Sequence, residues 1–492
     1  MQDEFAARLG KLRSLRDAGA DPYPAKSRRS HTVGSVLSGF DDLLKTSVSV
    51  VLTGRIRLIR GHGGMAFAHL EDMTGKVQLV FKKDLLGSNN YSNFLKHADI
   101  GDIIGVQGQA FLTKVGERSI EVKEWTMLAK SLLPLPEKWH GLSDTEIRYR
   151  QRYLDLIANP AVRAIFETKA AIISSVRKFF DARGFLEVET PILQNLAGGA
   201  NARPFSTHHN TLNLELYLRV APELHLKRLL VGGFERVYEI GRNFRNEGMD
   251  HLHNPEFTAL ELYEAYASYE EHVLMIPELL AALSQAAGKN PAAVPYGGER
   301  LNLTPPYAVK TFRAALKEFA GLDIEKFSTR EKLRRGAQRL GVQAGESDSH
   351  GTIMDSIYKK FVRPKLVQPT FIVDHPVELS PLAKRKADDQ RYTERYQLIL
   401  AGGMELVNGW SELNDPLDQE ERFREQEAAR QAGDPEAQRL DEDFITALKH
   451  GLPPCAGLGV GIERLTMLLT DSHSIKDVLL FPTLRPSGQE QV

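Results

Sequence analysis

Three segments of the chain gather residue types that do chemistry. The first is Gly241-Arg242-Asn243-Phe244-Arg245-Asn246-Glu247-Gly248, followed by His251, His253, Glu256 and Phe257. Arginine presents a planar fork of donors that matches phosphate or carboxylate, and Phe257 can stack on a base. Two strands joined by a glycine-containing loop fit this segment. Its histidines invite a zinc reading, but no helical HxxxH spacing or cysteine partner supports it. The second segment is Glu405-Leu406-Val407-Asn408-Gly409-Trp410-Ser411-Glu412. In an extended strand Glu405 and Val407 face one way, and Asn408, Trp410 and Glu412 the other. On a core face Glu412 would need a ligand to satisfy it. Glu405, taken singly, reads as a surface or salt-bridged carboxylate. The third segment is Gly457-Leu458-Gly459-Val460-Gly461-Ile462-Glu463-Arg464. Alternating glycines let backbone approach something closely, either a ligand or more backbone. Ile462 stands where a GxGxxG loop needs its last glycine, and no GxxxxGK[ST] loop is present.

The rest of the chain must position these groups. It has 492 residues, 42% hydrophobic and 26% charged, which is ordinary globular composition and a prior of about three domains, or two with one large. Lys and Arg total 63 against 64 Asp and Glu, so a nucleic-acid role needs a local basic patch rather than a global field. The single cysteine, Cys455, excludes an intramolecular disulfide and a cysteine-cluster zinc site. No run approaches about 18 apolar residues and the first ten residues lack the apolar core of a signal peptide, so no membrane association and a cytoplasmic location are expected.

Residues 3–17 carry Phe5, Leu9, Leu12 and Leu15 at helical recurrence, with Arg8, Lys11, Arg13 and Arg16 as a basic face. The simple expectation is a surface helix docked on its own domain; a helix leaning on RNA is the weaker one. Strand-like runs follow at 48–52, 55–59, 66–70, 76–80, 103–106 and 119–124, which suggests a small closed barrel of five or six strands. Leu133-Pro134-Leu135-Pro136 is a stiff linker. Beyond it, a helical stretch at 162–181 and strand-like runs at 214–220, 236–240, 257–262, 370–373 and 405–410 mix without regular alternation. That predicts an α+β domain on an antiparallel sheet. The charge-laced helix at 418–431 reads as a solvated face. The expected divisions are a basic helix and lead-in at 1–45, a barrel at 46–132, a linker at 133–150 and a large domain at 151–492.

Together these segments resemble the signature motifs of class II aminoacyl-tRNA synthetases. Gly184-Phe185-Leu186-Glu187-Val188-Glu189-Thr190-Pro191-Ile192-Leu193 matches motif one, Phe244-Arg245-Asn246-Glu247 through Phe257 motif two, and 457–464 motif three. The class I signatures HIGH and KMSKS are absent. Within the class the chain is similar to the bacterial lysyl-tRNA synthetases over roughly residues 5–486. Asp21-Pro22-Tyr23-Pro24, Arg148-Tyr149-Arg150-Gln151-Arg152-Tyr153-Leu154-Asp155-Leu156, Ala221-Pro222-Glu223-Leu224, Glu261-Leu262-Tyr263 and Ser411-Glu412-Leu413-Asn414-Asp415 carry that likeness.

The resemblance implies an OB-fold anticodon-binding barrel joined to a class II catalytic domain whose antiparallel sheet is flanked by helices. It implies activation of L-lysine with ATP and Mg2+, transfer to tRNA(Lys), and a homodimer. Residue by residue, it gives catalysis to Arg245 and Arg464. ATP falls to Arg245, Glu247, His253, Phe257, Glu405 and Arg464. Lysine falls to Gly199, Glu223, Arg245, Glu261, Tyr263, Asn408 and Glu412. The anticodon falls to Phe67 and Gln78, with Glu124 a weaker candidate; Phe67 in the barrel core is the alternative. Arg55, Arg57, Arg60, Lys82 and Lys83 are candidates to meet phosphate.

The chain departs from the family where two glutamates usually hold Mg2+. Glu405 matches the second, but Gln397 stands at the first, and the span between them looks one residue long. Gln397 is therefore a doubtful ligand. Trp410 stands where Phe or Tyr is usual, and Glu463 where Asp is common. Two other functions compete: a transferase that modifies a protein lysine, which would resemble the catalytic domain alone, and a catalytically idle tRNA-binding relative.

Overall fold

The structure, a computed structural model, describes residues 2–136, 142, 144–200, 202–345, 348–431 and 439–486. The chain divides into two compact units, Met1–Ser143 and Asp144–Val492. The expected linker at 133–150 includes 137–141 and 143, which lie outside the described residues.

In the first unit, helix α1 (Gln2–Asp17) buries Leu12 and Leu15 and leaves Phe5 exposed. Arg8, expected on the basic outer face, is also buried. Its guanidinium donates to the carbonyls of Ile100 at 3.1 Å and Ser131 at 3.2 Å, and to Glu4 at 3.0 Å. Lys11 pairs with Asp99 at 2.6 Å. Two of the helix's cations are thus committed within their own unit, because each finds an acceptor there that offsets its desolvation.

Among the described residues, β1 (Ser49–His62), β2 (Met65–Asp72), β3 (Gly75–Lys82), β4 (Ile103–Leu112) and β5 (Arg118–Ala129) close a barrel in the order β1-β2-β3-β5-β4. The runs at 48–52 and 55–59, read as separate strands, belong to one. Gly54 allows this: a Cβ there would lie 2.6 Å from the Glu71 carbonyl oxygen. A bulge between Ile56 and Leu58 then bends β1 around the barrel. Alternation sends Ala66, Ala68 and Leu70 of β2 and Val77, Leu79 and Phe81 of β3 inward.

In the second unit eight strands form one sheet among the described residues. In chain order they are β6 (Leu186–Glu187), β7 (Arg236–Phe244), β8 (Glu256–Ala265), β9 (Ala308–Thr311), β10 (Thr370–Pro376), β11 (Tyr392–Leu400), β12 (Met404–Ser411) and β13 (Cys455–Gly461). Their order across the sheet is β9-β10-β11-β12-β13-β8-β7-β6. Pairing is antiparallel except at the two edges, where β6 runs parallel to β7 and β9 to β10. This is the α+β arrangement expected from the mixed pattern.

The helices of this unit include α2 (Pro160–Asp181), α3 (Glu223–Val231), α4 (Tyr269–Ala286), α5 (Pro416–Gln431) and α6 (Ile462–Thr470). Leu260 and Leu262 of β8 and Leu458 and Val460 of β13 share a core with Val176 and Phe180 of α2, Leu280 and Leu283 of α4, and Leu465 and Leu468 of α6. Each such side chain contributes about 1.5–3 kcal/mol on burial. One face of the sheet is therefore given over to packing, and chemistry falls to the other. Helix α5 departs from the solvated-face reading, since Gln419, Arg422 and Phe423 are buried. Arg422 donates to the carbonyls of Ser380 at 3.0 Å and Ala383 at 2.8 Å, and to Asp418 at 2.9 Å. A charge pattern alone does not show that an arginine will meet carbonyls.

The barrel's tightest backbone approach yields a stability test. A Cβ at Gly108 would overlap the Glu121 carbonyl and the Ile120 side chain. Gly108→Ala should destabilise the barrel by about 1–3 kcal/mol. Chemical denaturation of the full chain should show the barrel transition at lower denaturant; an unchanged midpoint would contradict this packing.

Candidate active site

The second face of the large sheet holds a cavity of about 390 Å3. Its floor follows the strand register. Asn408 of β12 stands beside Gly459 of β13, and Gly459 beside Glu261 of β8. One step along, Trp410, Gly457 and Tyr263 form the next row. The alternation that sends Leu458 and Val460 into the core turns Gly457, Gly459 and Gly461 toward the cavity. A Cβ at Gly457 would overlap Glu412 Oε1 and the Tyr263 ring. Glycine there lets a carboxylate and a phenol sit side by side.

Along β8, Phe257 to Tyr263 spans roughly 20 Å, and the cavity has two chemically different ends. At the Phe257 end the Arg245 guanidinium lies over the Phe257 ring at 5.1 Å, and its Nε is buried without a partner. Arg464, in the first turn of α6, donates from Nη1 to the Glu405 carbonyl at 2.9 Å. Its Nη2 lies 3.0 Å from His253 Nε2, and His253 Nδ1 lies 2.8 Å from Asp250. Glu247 lines the same cavity and is exposed. Glu463 is buried instead, accepting from Lys169 Nζ and the Thr258 amide, both at 2.9 Å.

Glu405 corrects the simple strand reading. Leu398 pairs with Val407 and Ile399 with Glu405, so Leu406 is an extra residue in β12. This bulge reverses the alternation. Leu406 and Val407 are both buried, and Glu405 lines the cavity with Asn408 and Trp410. Arg363 Nη1 lies 3.6 Å from its carboxylate.

The other end is rich in buried carboxylates. Glu223 opens α3, Glu261 lies on β8 and Glu412 follows β12; Glu223 and Glu412 are 2% and 1% exposed. Lys227 sits one helical turn after Glu223 and pairs with it at 2.6 Å and with Glu412 Oε2. Trp410 Nε1 also donates to Glu412 Oε2, at 2.7 Å. Glu412 Oε1 is buried without a partner. Tyr263 donates to Glu261 at 3.4 Å. Gly199 has φ +89°, and a Cβ on it would press against the Glu223 side chain at 3.0 Å.

Apart from Glu412, held just beneath Gly457, the cavity gathers every candidate catalytic, ATP and lysine residue of the sequence reading. Gln397 is not among its walls. It is buried, and its Oε1 accepts from Tyr358 Oη at 3.1 Å and faces His375 Nε2 at 3.3 Å. Sequence reasoning missed Lys227 and Arg395. Lys227 carried a usable signal, its four-residue spacing from Glu223 on a helix. Arg395 lines the cavity, donates to Asn408 Oδ1 at 3.1 Å and lies 5.7 Å over the Trp410 ring. Its sequence context carried no such mark.

On the barrel, alternation places Phe67 and Gln78 outside the core, both half-buried. Phe67 stands opposite Val80 and His69 opposite Gln78, which makes Phe67 and Gln78 diagonal neighbours on one face. Gln78 donates to Ser119 Oγ at 2.9 Å. Glu124 is exposed on β5, beyond a bulge facing Gln107 and Gly108. Of the basic cluster, Arg57 pairs with Glu71 at 2.9 Å, Lys82 with Glu121 at 2.5 Å, and Arg55 donates to the Gly101 carbonyl at 2.7 Å. Arg60 and Lys83 are exposed.

Both parts of the chain are similar to known proteins. The family model for class II tRNA synthetases (D, K and N) matches residues 144–485, and that for the OB-fold nucleic acid binding domain matches residues 50–128. A lysine–tRNA ligase of Moorella thermoacetica is 51% identical over 487 residues, 99% of each chain. One from Pelotomaculum thermopropionicum is 50% identical over 99% of this chain and 96% of its own. One from Chloroflexus aurantiacus is 49% identical over 491 residues, the full length of both.

Burial sets the protonation of the carboxylate end. Burial, reinforced by Glu223, lifts the Glu261 carboxyl to about 8, against the pull of Arg245 and Arg219. Burial also raises Glu223 and Glu412, and Lys227 opposes both shifts. Burial alone would lower the Lys227 ammonium; the two glutamates outweigh that and hold it above lysine's ordinary range. An acid raised in this way binds its proton more tightly folded than unfolded. The stability Glu261 contributes is thus present below pH 4.5 and is lost as pH rises toward about 8. Between those values the ligand-free protein should melt progressively lower, and Glu261→Gln should flatten that slope. Parallel melting curves for parent and variant across the window would contradict the shift.

Proposed function

The chain belongs to the class II tRNA synthetases, among the lysine–tRNA ligases, and on that premise we propose how its own side chains carry the reaction. The activity is ATP-dependent activation of lysine to lysyl-adenylate, then transfer to tRNA(Lys). The observation that carries the residue assignment is the polarity of the cavity, with Arg245, Arg464 and Phe257 at one end and the carboxylates of Glu223 and Glu261, above the buried Glu412, at the other.

Phe257 stacks on adenine and Arg245 holds the α-phosphate. Lysine's carboxylate attacks the α-phosphorus, the bond to the β-phosphate oxygen breaks, and pyrophosphate leaves. The nucleophile is already ionised, so no general base is required. The work is positioning and stabilisation of the charge that builds on the α-phosphate. The unpartnered Arg245 Nε supports that role. Arg464 grips the γ-phosphate end, with Glu247 and His253 as further ATP contacts. In the second step a hydroxyl at the tRNA 3′ end attacks the carbonyl of the adenylate, and AMP leaves.

At the carboxylate end Glu412 and Tyr263 receive the ε-ammonium. Glu223, Glu261 and the Gly199 backbone surround the α-ammonium, and Arg245 and Asn408 reach the carboxylate. A buried ammonium needs such partners, and Glu412 Oε1 is a buried acceptor that lacks one.

Mg2+ fits the phosphate end of the cavity as a metal shared between protein and nucleotide. Among the described residues no group of three His, Cys, Asp or Glu could hold a metal alone. Mg2+ is commonly held by one or two carboxylates together with substrate phosphates. Glu405 would be that carboxylate, and the ion would supply neutralisation of phosphate charge. Gln397, with its oxygen engaged by Tyr358, is the weaker partner. The motif-one segment is the proposed contact of a homodimer, and the cytoplasm the proposed location. Among the described residues no helix is long and apolar enough to cross a membrane.

The outward Phe67 stacks on an anticodon base and Gln78 reads its edge, as single-stranded loops are read. Glu124 is the weaker member of that set. Two experiments test the two ends of the reading. In lysine-dependent ATP–pyrophosphate exchange without tRNA, Glu412→Gln should raise the lysine KM about 100-fold or more and leave the ATP KM nearly unchanged. An equal rise in both would remove Glu412 from the lysine site. Phe67→Ala combined with Gln78→Ala should abolish charging of tRNA(Lys) and spare exchange; normal charging would remove both residues from anticodon reading.

A further inference from the structure

Lys227 is a fully buried ammonium that the reaction itself does not use. It lies on α3, one turn after Glu223, and bridges two carboxylates from different elements. It takes Glu223 Oε1 at 2.6 Å and Glu412 Oε2. Trp410 Nε1 takes the same Glu412 oxygen at 2.7 Å. Glu412 Oε1 is left buried and bare beside Gly457, where only the missing Cβ gives it room, and Gly457 forms part of the cavity wall.

From this geometry we infer that Lys227 is a positioning and specificity-determining residue for the amino-acid substrate. By engaging one oxygen of Glu412, it turns the other toward the cavity at a set depth. By engaging Glu223 as well, it ties the acceptor for the side-chain ammonium to the acceptor at the α-amino end. The distance between the two ends of the substrate is then gauged by one resident cation. The bridge also lets Glu223 and Glu412 approach each other, since two unpaired buried carboxylates would repel. Arg395, a half-buried cation in the cavity wall, is held by Asn408 at 3.1 Å and Ser380 Oγ at 3.1 Å, not by Glu412. A cavity gauged in this way selects a diamino acid by the separation of its two ammonium groups, not by charge alone.

The inference rests on the lysine-binding reading above, and the test separates the two. The full-length parent is first assayed for lysine-dependent ATP–pyrophosphate exchange; no exchange would defeat that reading whatever the variants do. Lys227→Met and Lys227→Gln are then compared with the parent for lysine, for ornithine (one methylene shorter) and for ATP, with thermal melting as the check on folding. The expected result is a lysine KM raised about 100-fold, an ATP KM within about threefold, and a lysine-over-ornithine preference reduced about tenfold in a folded protein. A folded variant with the parent's lysine KM and preference would overturn the inference. So would lysine and ATP KM rising together with the preference intact. If neither variant folds, Lys227 serves the fold rather than substrate selection, and the inference falls.

Discussion

Three carboxylates gathered at one end of the cavity, two of them fully buried, set the terms for the catalytic unit. Glu223, Glu261 and Glu412 come from a helix, a strand and the residue after a strand, and burial drives each of them toward its neutral form. Such groups persist in a folded protein only when something nearby repays their desolvation. Lys227 does part of this from within the chain. Glu412 Oε1 stays buried without a partner, and in the proposed lysine site the substrate's ammonium groups would complete the pairing. In that proposal an amino acid with an uncharged side chain would leave Glu412 Oε1 as bare as it is in the free protein.

The scaffold follows from the need to hold those groups still. One face of the antiparallel sheet is packed against α2, α4 and α6, which makes it a rigid plate. The other face is cleared by glycines at every second position of β13, so side chains from β8 and β12 converge above it without obstruction. Two arginines of the cavity enter where the plate ends. Arg245 follows β7, and Arg464 follows β13 at the start of α6. Arg245 and Arg464 thereby lie toward one end of the strand-length cavity, and Glu223 and Glu412 toward the other.

Glu405 illustrates how small a backbone change governs the chemistry. With regular alternation it would point away from Asn408 and Trp410. The single extra residue Leu406 turns it to their side, where Arg464 also bonds its carbonyl. Gln397 moves the other way in importance. Its oxygen is engaged by Tyr358, so the residue that stands where the family usually has its first metal-binding glutamate is bound into the interior.

Much of this was legible in the chain by itself. The period-two runs of the barrel, the glycine alternation at 457–461 and the arginine–histidine–phenylalanine segment at 242–257 are local patterns, and local backbone geometry interprets them directly. They sufficed for the fold class and for the resemblance to class II synthetases, and it was the resemblance that pointed to Gly199, Glu223, Glu261 and Tyr263. What the sequence left undecided depended on atoms brought together from distant positions. Whether Arg8 faces solvent depends on the carbonyls of Ile100 and Ser131, and whether Arg422 does depends on those of Ser380 and Ala383. Which side Glu405 faces depends on the pairing of β12 with β11. The partner of Glu412 is Lys227, 185 positions earlier, and nothing in either neighbourhood names the other. Periodicity assigns a side chain to a face; only tertiary packing assigns it a partner, because a buried charge is stabilised by whichever opposite charge the fold places within reach.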